Sequence, residues 1–175
     1  YFKQKEIECV GTYFSYEAKD TVFFDTLNLH NHDNFDVASF KPDVIIHCGA
    51  LTHVDYCEHH EAESHEKTVH STNNMIALAK EINAKLVFIS TDYIFDGKDG
   101  PYLENAVSNP LSVYGKHKLE AENAVLQANP DNIVIRITNV YGDEERGKNF
   151  VSRIIEQIFE QQKLTLKLPI DQYST

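Results

Sequence analysis

Tryptophan is absent from the 175 residues, methionine occurs once and cysteine only three times. An odd number of cysteines with no C-x-x-C pair suits free thiols at Cys9, Cys48 and Cys57 in a reducing compartment better than a disulfide or zinc framework. Basic residues are also scarce, 16 Lys and Arg against 27 Asp and Glu, for a formal charge of -11. Nucleic acid and anionic membrane surfaces are therefore excluded as partners, because both are held by basic patches. No apolar run approaches the roughly 20 residues that span a bilayer. The opening residues YFKQKEIECV carry no apolar signal-peptide core. The expected location is the cytoplasm.

What is present is ordinary for one globular domain: 42% hydrophobic and 25% charged residues over a length that can bury one core. Short β-branched runs at Val44 to Cys48, from Leu86 to a stop at Ser90, Thr91 and Asp92, and at Ile133 to Ile137 read as buried parallel strands. Helical patterns lie between them, over Lys67 to Ile82 and up to Ala128. Two further short strands are expected at Ile7 to Tyr13 and Thr21 to Phe24, with an amphipathic helix over Asn31 to Phe40. A helix at Arg146 to Gln161 and a strand at Leu164 to Leu168 complete the reading. Strands alternating with helices predict an α/β, doubly wound parallel sheet in a single domain spanning residues 1–175.

The most informative stretch runs from Leu86 to Lys118. Hydroxyls and a carboxylate sit where the strand ends, and after a Gly and Pro loop a helical pattern carries Tyr114 and Lys118 four residues apart, on one helix face. A lysine cation within a few ångströms of a phenol favours the phenolate and brings a group that titrates near pH 10 toward useful acidity. Tyr114 is then a proton donor, with Thr91 on the neighbouring strand end holding a substrate oxygen, a role worth roughly 10² to 10⁴ in rate. No side chain supplies a hydride, so the partner chemistry falls to a nicotinamide. Alone the Tyr-x-x-x-Lys spacing is weak: 9 Tyr and, with Arg136, Arg146 and Arg153 set aside, 13 Lys yield about 0.7 chance matches. Tyr1 and Lys5 form one such match, with no hydroxyl-ended strand before it.

The company Tyr114 keeps is more specific. The strings Ser90-Thr91-Asp92-Tyr93-Ile94-Phe95-Asp96-Gly97, Pro101-Tyr102-Leu103-Glu104 and Asn109-Pro110-Leu111-Ser112-Val113-Tyr114-Gly115-Lys116-His117-Lys118 resemble the extended short-chain dehydrogenase/reductases, and among them the dTDP-4-dehydrorhamnose reductases. The resemblance extends through Pro42 to Ala50, Asn74 to Ala79 and Arg136 to Gly142, and ends on Asp171-Gln172. It implies reduction of the 4-keto group of a nucleotide-linked deoxysugar with NADPH, NADH remaining open. Thr91, Tyr114 and Lys118 take the catalytic roles. Asp25, Thr26, Ala50, Leu51 and Thr52, together with Tyr114 and Lys118, meet the cofactor, and Thr91, Asp92 and Asn139 meet the sugar.

Three departures accompany the resemblance, one of them Thr68, which stands where relatives often carry an Asn near the middle of the crossover helix. None of the seven glycines forms a G-x-G-x-x-G turn, so the expectation is a Rossmann-like domain lacking its first strand and phosphate-binding turn, and lacking most of a C-terminal substrate lobe. Asn139 stands where the reductases commonly carry Trp. No acid ends the strand at Thr12 to Ser15, and nearby Lys19 leans toward NADP over NAD. A second reading is a non-catalytic, NADP-binding regulatory subunit resembling that of methionine adenosyltransferase, and a third is a nucleotide-sugar epimerase. A homodimer is compatible with all three. The segment Cys57-Glu58-His59-His60-Glu61-Ala62-Glu63-Ser64-His65-Glu66 is read as a solvated helix start and not a metal site, because His60 and His65 are five apart and diverge around a helix.

Overall fold

A computed structural model describes residues 5–29, 35–142 and 150–160. Two parallel sheets form in it. The smaller pairs β1 (Gly11–Tyr13) with β2 (Thr21–Phe23), and the larger has the order β3 (Val44–His47), β4 (Lys85–Thr91), β5 (Ile133–Ile137). Helix α1 (Val37–Phe40) precedes β3, helices α2 (Val54–His59), α3 (Glu61–His65) and α4 (Ser71–Ile82) connect β3 to β4, and α5 (Val113–Ala128) connects β4 to β5. Helix α6 (Phe150–Glu160) follows. The doubly wound α/β expectation holds in its parallel strands and helical crossovers. The first strand begins at Gly11, not Ile7, and α1 is one turn started by Asp36, whose carboxylate accepts the Ala38 and Ser39 N–H groups at 2.9 and 3.1 Å. The remainder of the helix expected from Asn31, the strand expected at Leu164 to Leu168 and Asp171-Gln172 lie partly or wholly outside the described residues.

Alternation along β4 decides which side of the sheet is packed. Leu86 and Phe88 point to the side covered by α4 and α5, where they meet Met75, Leu78, Ala79, Ala121 and Val125, and Ser90 continues the same alternation as a buried residue. Phe24, just after β2, enters the same cluster and ties the small sheet to α4. Register places Ile46, Val87 and Ile133 in one row on the opposite side, where Ile46 and Ile133 are half exposed.

Single polar side chains fix the joints. Asn132 donates to the Val125 carbonyl and accepts the Leu86 N–H, both at 2.9 Å, so the end of α5, the start of β4 and the start of β5 share one amide. Helix α4 stops at Asn83, left-handed at φ 59, and Ala84 N–H closes on the Ala79 carbonyl at 2.8 Å. Among the described residues no helix is long and apolar enough to cross a membrane.

Candidate active site

Because β3, β4 and β5 are parallel, His47, Thr91 and Ile137 end on one edge, and Gly49 to Thr52, Asp92 and Asn139 extend from it. Thr91 is 5% exposed. Its Oγ1 accepts the Tyr93 N–H at 3.3 Å, starting a single 3-10 turn over Asp92–Ile94, and donates to Asp92 Oδ1 at 3.2 Å. The same threonine lies beside the Tyr114 phenol and favours its ionised form, and the Tyr93 ring stands edge-on to Tyr114 with centroids 5.7 Å apart. Thr91, Asp92 and Tyr114 therefore meet, as their strand-end and helix-start positions predict.

The start of α5 holds the phenol there. Ser112 Oγ accepts the Gly115 N–H at 3.0 Å and Glu58 Oε1 accepts the Val113 N–H at 2.7 Å, so two otherwise orphaned donors are satisfied at the helix's positive end. Gly115 allows the close approach: a Cβ at that position would run into the Tyr93 carbonyl oxygen and press on Pro110. Gly115→Ala is accordingly expected to push α5 off the turn and lower stability by about 1–3 kcal/mol, read by urea denaturation. An unchanged midpoint would mean that the backbone yields at no cost.

Burial raises the Tyr114 phenol above its ordinary value, the neighbouring Thr91 side chain opposes this, and the Asp92 charge adds to it. The acidification expected from Lys118 is not what this arrangement produces. Although Lys118 shares a helix face with Tyr114, its stem carries the ammonium to the sheet, where it donates to the Ile89 carbonyl at 2.5 Å and lies 4.0 Å from the centre of the Phe88 ring. Lys118 is 3% exposed. Burial brings it down to about 8, with Cys48 and Glu122 working the other way.

His47 shares this pocket. Its ring packs against Phe88 at 5.9 Å, its Nε2 has no hydrogen-bond partner among the described residues, and burial followed by the Lys118 charge lowers it to about 4. The unfolded chain binds that proton near pH 6.5 while the folded one refuses it until about 4, so this contribution to stability is lost as pH falls through that window. His47→Leu should flatten the urea-midpoint profile between pH 6.5 and 4 relative to wild type. Parallel profiles would remove His47 from the acid response.

The other expected site residues are placed less directly. Ala50, Leu51 and Thr52 form the loop after β3; Leu51 N–H donates to Thr68 Oγ1 at 3.3 Å and its carbonyl accepts the Cys57 thiol at 3.5 Å. Asp25 closes its own turn, accepting the Leu27 N–H at 2.9 Å and the Asn28 amide at 2.6 Å, while Thr26 bonds Ser71 Oγ at 2.8 Å. Asn139 is exposed two residues beyond β5. In the histidine-rich segment His60 stacks on Tyr56 and His65 faces Glu120 at 3.4 Å, so the two diverge. Sequence reasoning passed over Phe88, His47 and Tyr93. Phe88 and His47 sit inside apolar runs that look like plain core, whereas the place of Tyr93, directly after Thr91 and Asp92, was a usable signal.

The match to known proteins agrees with this arrangement. Residues 4–175 match the RmlD substrate binding domain family. The chain is 41% identical over 147 residues to methionine adenosyltransferase 2 subunit beta of Bos taurus, covering 83% of this chain and 43% of that protein. It is 37% identical over 135 residues to dTDP-4-dehydrorhamnose reductase of Aggregatibacter actinomycetemcomitans, covering 75% and 45%. In structure it resembles the dTDP-4-dehydrorhamnose reductase of Bacillus anthracis in complex with NADP, with a TM-score of 0.64 and 32% identity over 69% of this chain and 43% of that one. The chain thus spans less than half the length of the curated relatives it matches. With hydroxyl, carboxylate and phenol gathered on one edge of a parallel sheet and the family match running from residue 4 to residue 175, the chain belongs to the RmlD-like branch of the short-chain dehydrogenase/reductases.

Proposed function

We propose that this chain carries the catalytic edge of an NADPH-dependent reductase of the 4-keto group of a nucleotide-linked deoxysugar. The observation behind it is the meeting of Tyr114, Thr91 and Asp92 at the carboxyl edge of a parallel sheet, with a buried lysine one helical turn away. The residues fit a nicotinamide cofactor: Gly49 and Ala50 keep the end of β3 free of bulk, and Lys118 brings a buried cation to the same edge. Such a cofactor, when bound, supplies the hydride for the carbonyl carbon. Thr91 and Asp92 hold the substrate, Tyr114 gives its proton to the carbonyl oxygen, and the phenolate left behind takes a proton back from solvent. A phenol raised by burial stays protonated at neutral pH, which suits the donating direction. Lys118, released from Ile89, offsets the phenolate charge as it forms.

Residues Ala50 to Thr52, Asp25 and Thr26 are assigned to the cofactor and Asn139 to the sugar. The test follows absorbance at 340 nm with the full-length protein, NADPH and dTDP-4-dehydrorhamnose; absence of turnover on this and related keto-sugars overturns the assignment.

A second reading is favoured by a specific observation. Lys118 is engaged with Ile89 and Phe88, away from the phenol it would tune, and 83% of the chain aligns with a methionine adenosyltransferase subunit. Under that reading the site binds the dinucleotide without turning it over. NADPH binding with no turnover, together with co-purification of a methionine adenosyltransferase catalytic subunit, selects it.

A further inference from the structure

The loop after β3 is gripped through one residue. Leu51 gives its N–H to Thr68 and its carbonyl takes the Cys57 thiol, and both partner side chains have no exposed surface. Cys57 comes from α2, which directly follows the loop. Thr68 comes from seventeen residues further on, in a turn that is not α-helical: Glu66–His70 is a π turn set between α3 and α4, with the Ser71 N–H reaching back to the Glu66 carbonyl. A π turn takes one more residue than an α turn and rarely persists in mid-helix without a compensating role. Here the Thr72 hydroxyl bonds the Thr68 carbonyl at 2.6 Å.

Packing alone gives no reason for a hydroxyl at position 68. Valine has nearly the same shape, and a fully buried hydroxyl is costly unless bonded. The Thr68 hydroxyl accepts the amide N–H of Leu51, in the middle of the segment assigned above to the cofactor.

We propose that Thr68 is a positioning residue for NADPH: the π turn aims its hydroxyl at the Leu51 amide, and this fixes the course of Ala50, Leu51 and Thr52 along the cofactor. The inference rests on the cofactor reading above, and its test separates the two. NADPH binding to the full-length protein is followed by the cofactor's fluorescence for wild type, Thr68→Val and Thr68→Ser, with hydrogen exchange of the Leu51 amide measured in parallel. Thr68→Val is expected to weaken binding about tenfold, the loss of one well-placed hydrogen bond, and to speed exchange at Leu51. Thr68→Ser, which keeps the hydroxyl, should stay within about twofold of wild type on both counts.

If Thr68→Val frees the Leu51 amide but binds NADPH as wild type does, the loop is held for a reason other than the cofactor and the inference falls. Equal weakening by Val and Ser would make side-chain shape the cause, which also overturns it. A wild-type protein that binds no NADPH defeats the functional reading itself, a result distinct from either. Where Thr68→Val does not fold, Thr68→Ala is compared with Thr68→Ser in the same two measurements.

Discussion

Tyr114→Phe is expected to cut turnover of a nucleotide-linked 4-keto-sugar by about 10² to 10⁴, the range for removal of a positioned general acid. The substitution removes one oxygen and keeps the ring, so the edge-on contact with Tyr93 survives. What disappears is the hydroxyl beside Thr91. Steady-state kinetics with NADPH and dTDP-4-dehydrorhamnose measure the loss, and circular dichroism checks that α5 is intact. Turnover within about tenfold of wild type would place the proton on another donor.

The largest effect on stability is expected from Glu122→Ala. Glu122 is 1% exposed and accepts Arg136 Nε on both carboxylate oxygens, at 3.1 and 3.2 Å, with a further bond from the same guanidinium to Oε1. Arg136 in turn donates to the Glu104 carbonyl at 2.7 Å and lies over the Phe95 ring. One ion pair thus joins α5, β5 and the loop after β4. Removing the carboxylate strands a partly buried guanidinium, and a loss of about 3–5 kcal/mol follows. Because the pair is largely enclosed, salt should change the wild-type value little. Urea denaturation of wild type and variant at low and high salt gives the answer; a difference under about 1 kcal/mol, the scale of a surface pair, would show that water reaches the pair freely.

Much of the fold was legible because its signals are local. The β-branched runs at Val44 and Ile133 became β3 and β5, and Asn129 and Pro130 closed α5 where the sequence stops favouring a helix. Thr91, Asp92 and Tyr114 were legible as a group, since a strand end and a helix start on one sheet edge must be neighbours. Lys118 was half legible. Helical spacing gave its face but not the four-carbon stem that takes the ammonium to Ile89. His47 was hidden because a neutral, buried imidazole in a run of Val and Ile reads as core. The π turn at Glu66 to His70 left no mark in the apolar period, which continues through it. Thr68 stood out only as the residue at a position where relatives often carry Asn, and nothing in the sequence shows that its hydroxyl meets the Leu51 amide.

The register of β4 against β5, Thr91 beside Ile137, sends Thr138 and Asn139 past the last shared rung of the ladder. Asn139 is exposed there, beyond the paired strands. A residue past the last rung can differ while the strand pairing behind it stays the same. Positions just past the strand ends are where one scaffold comes to carry different functions.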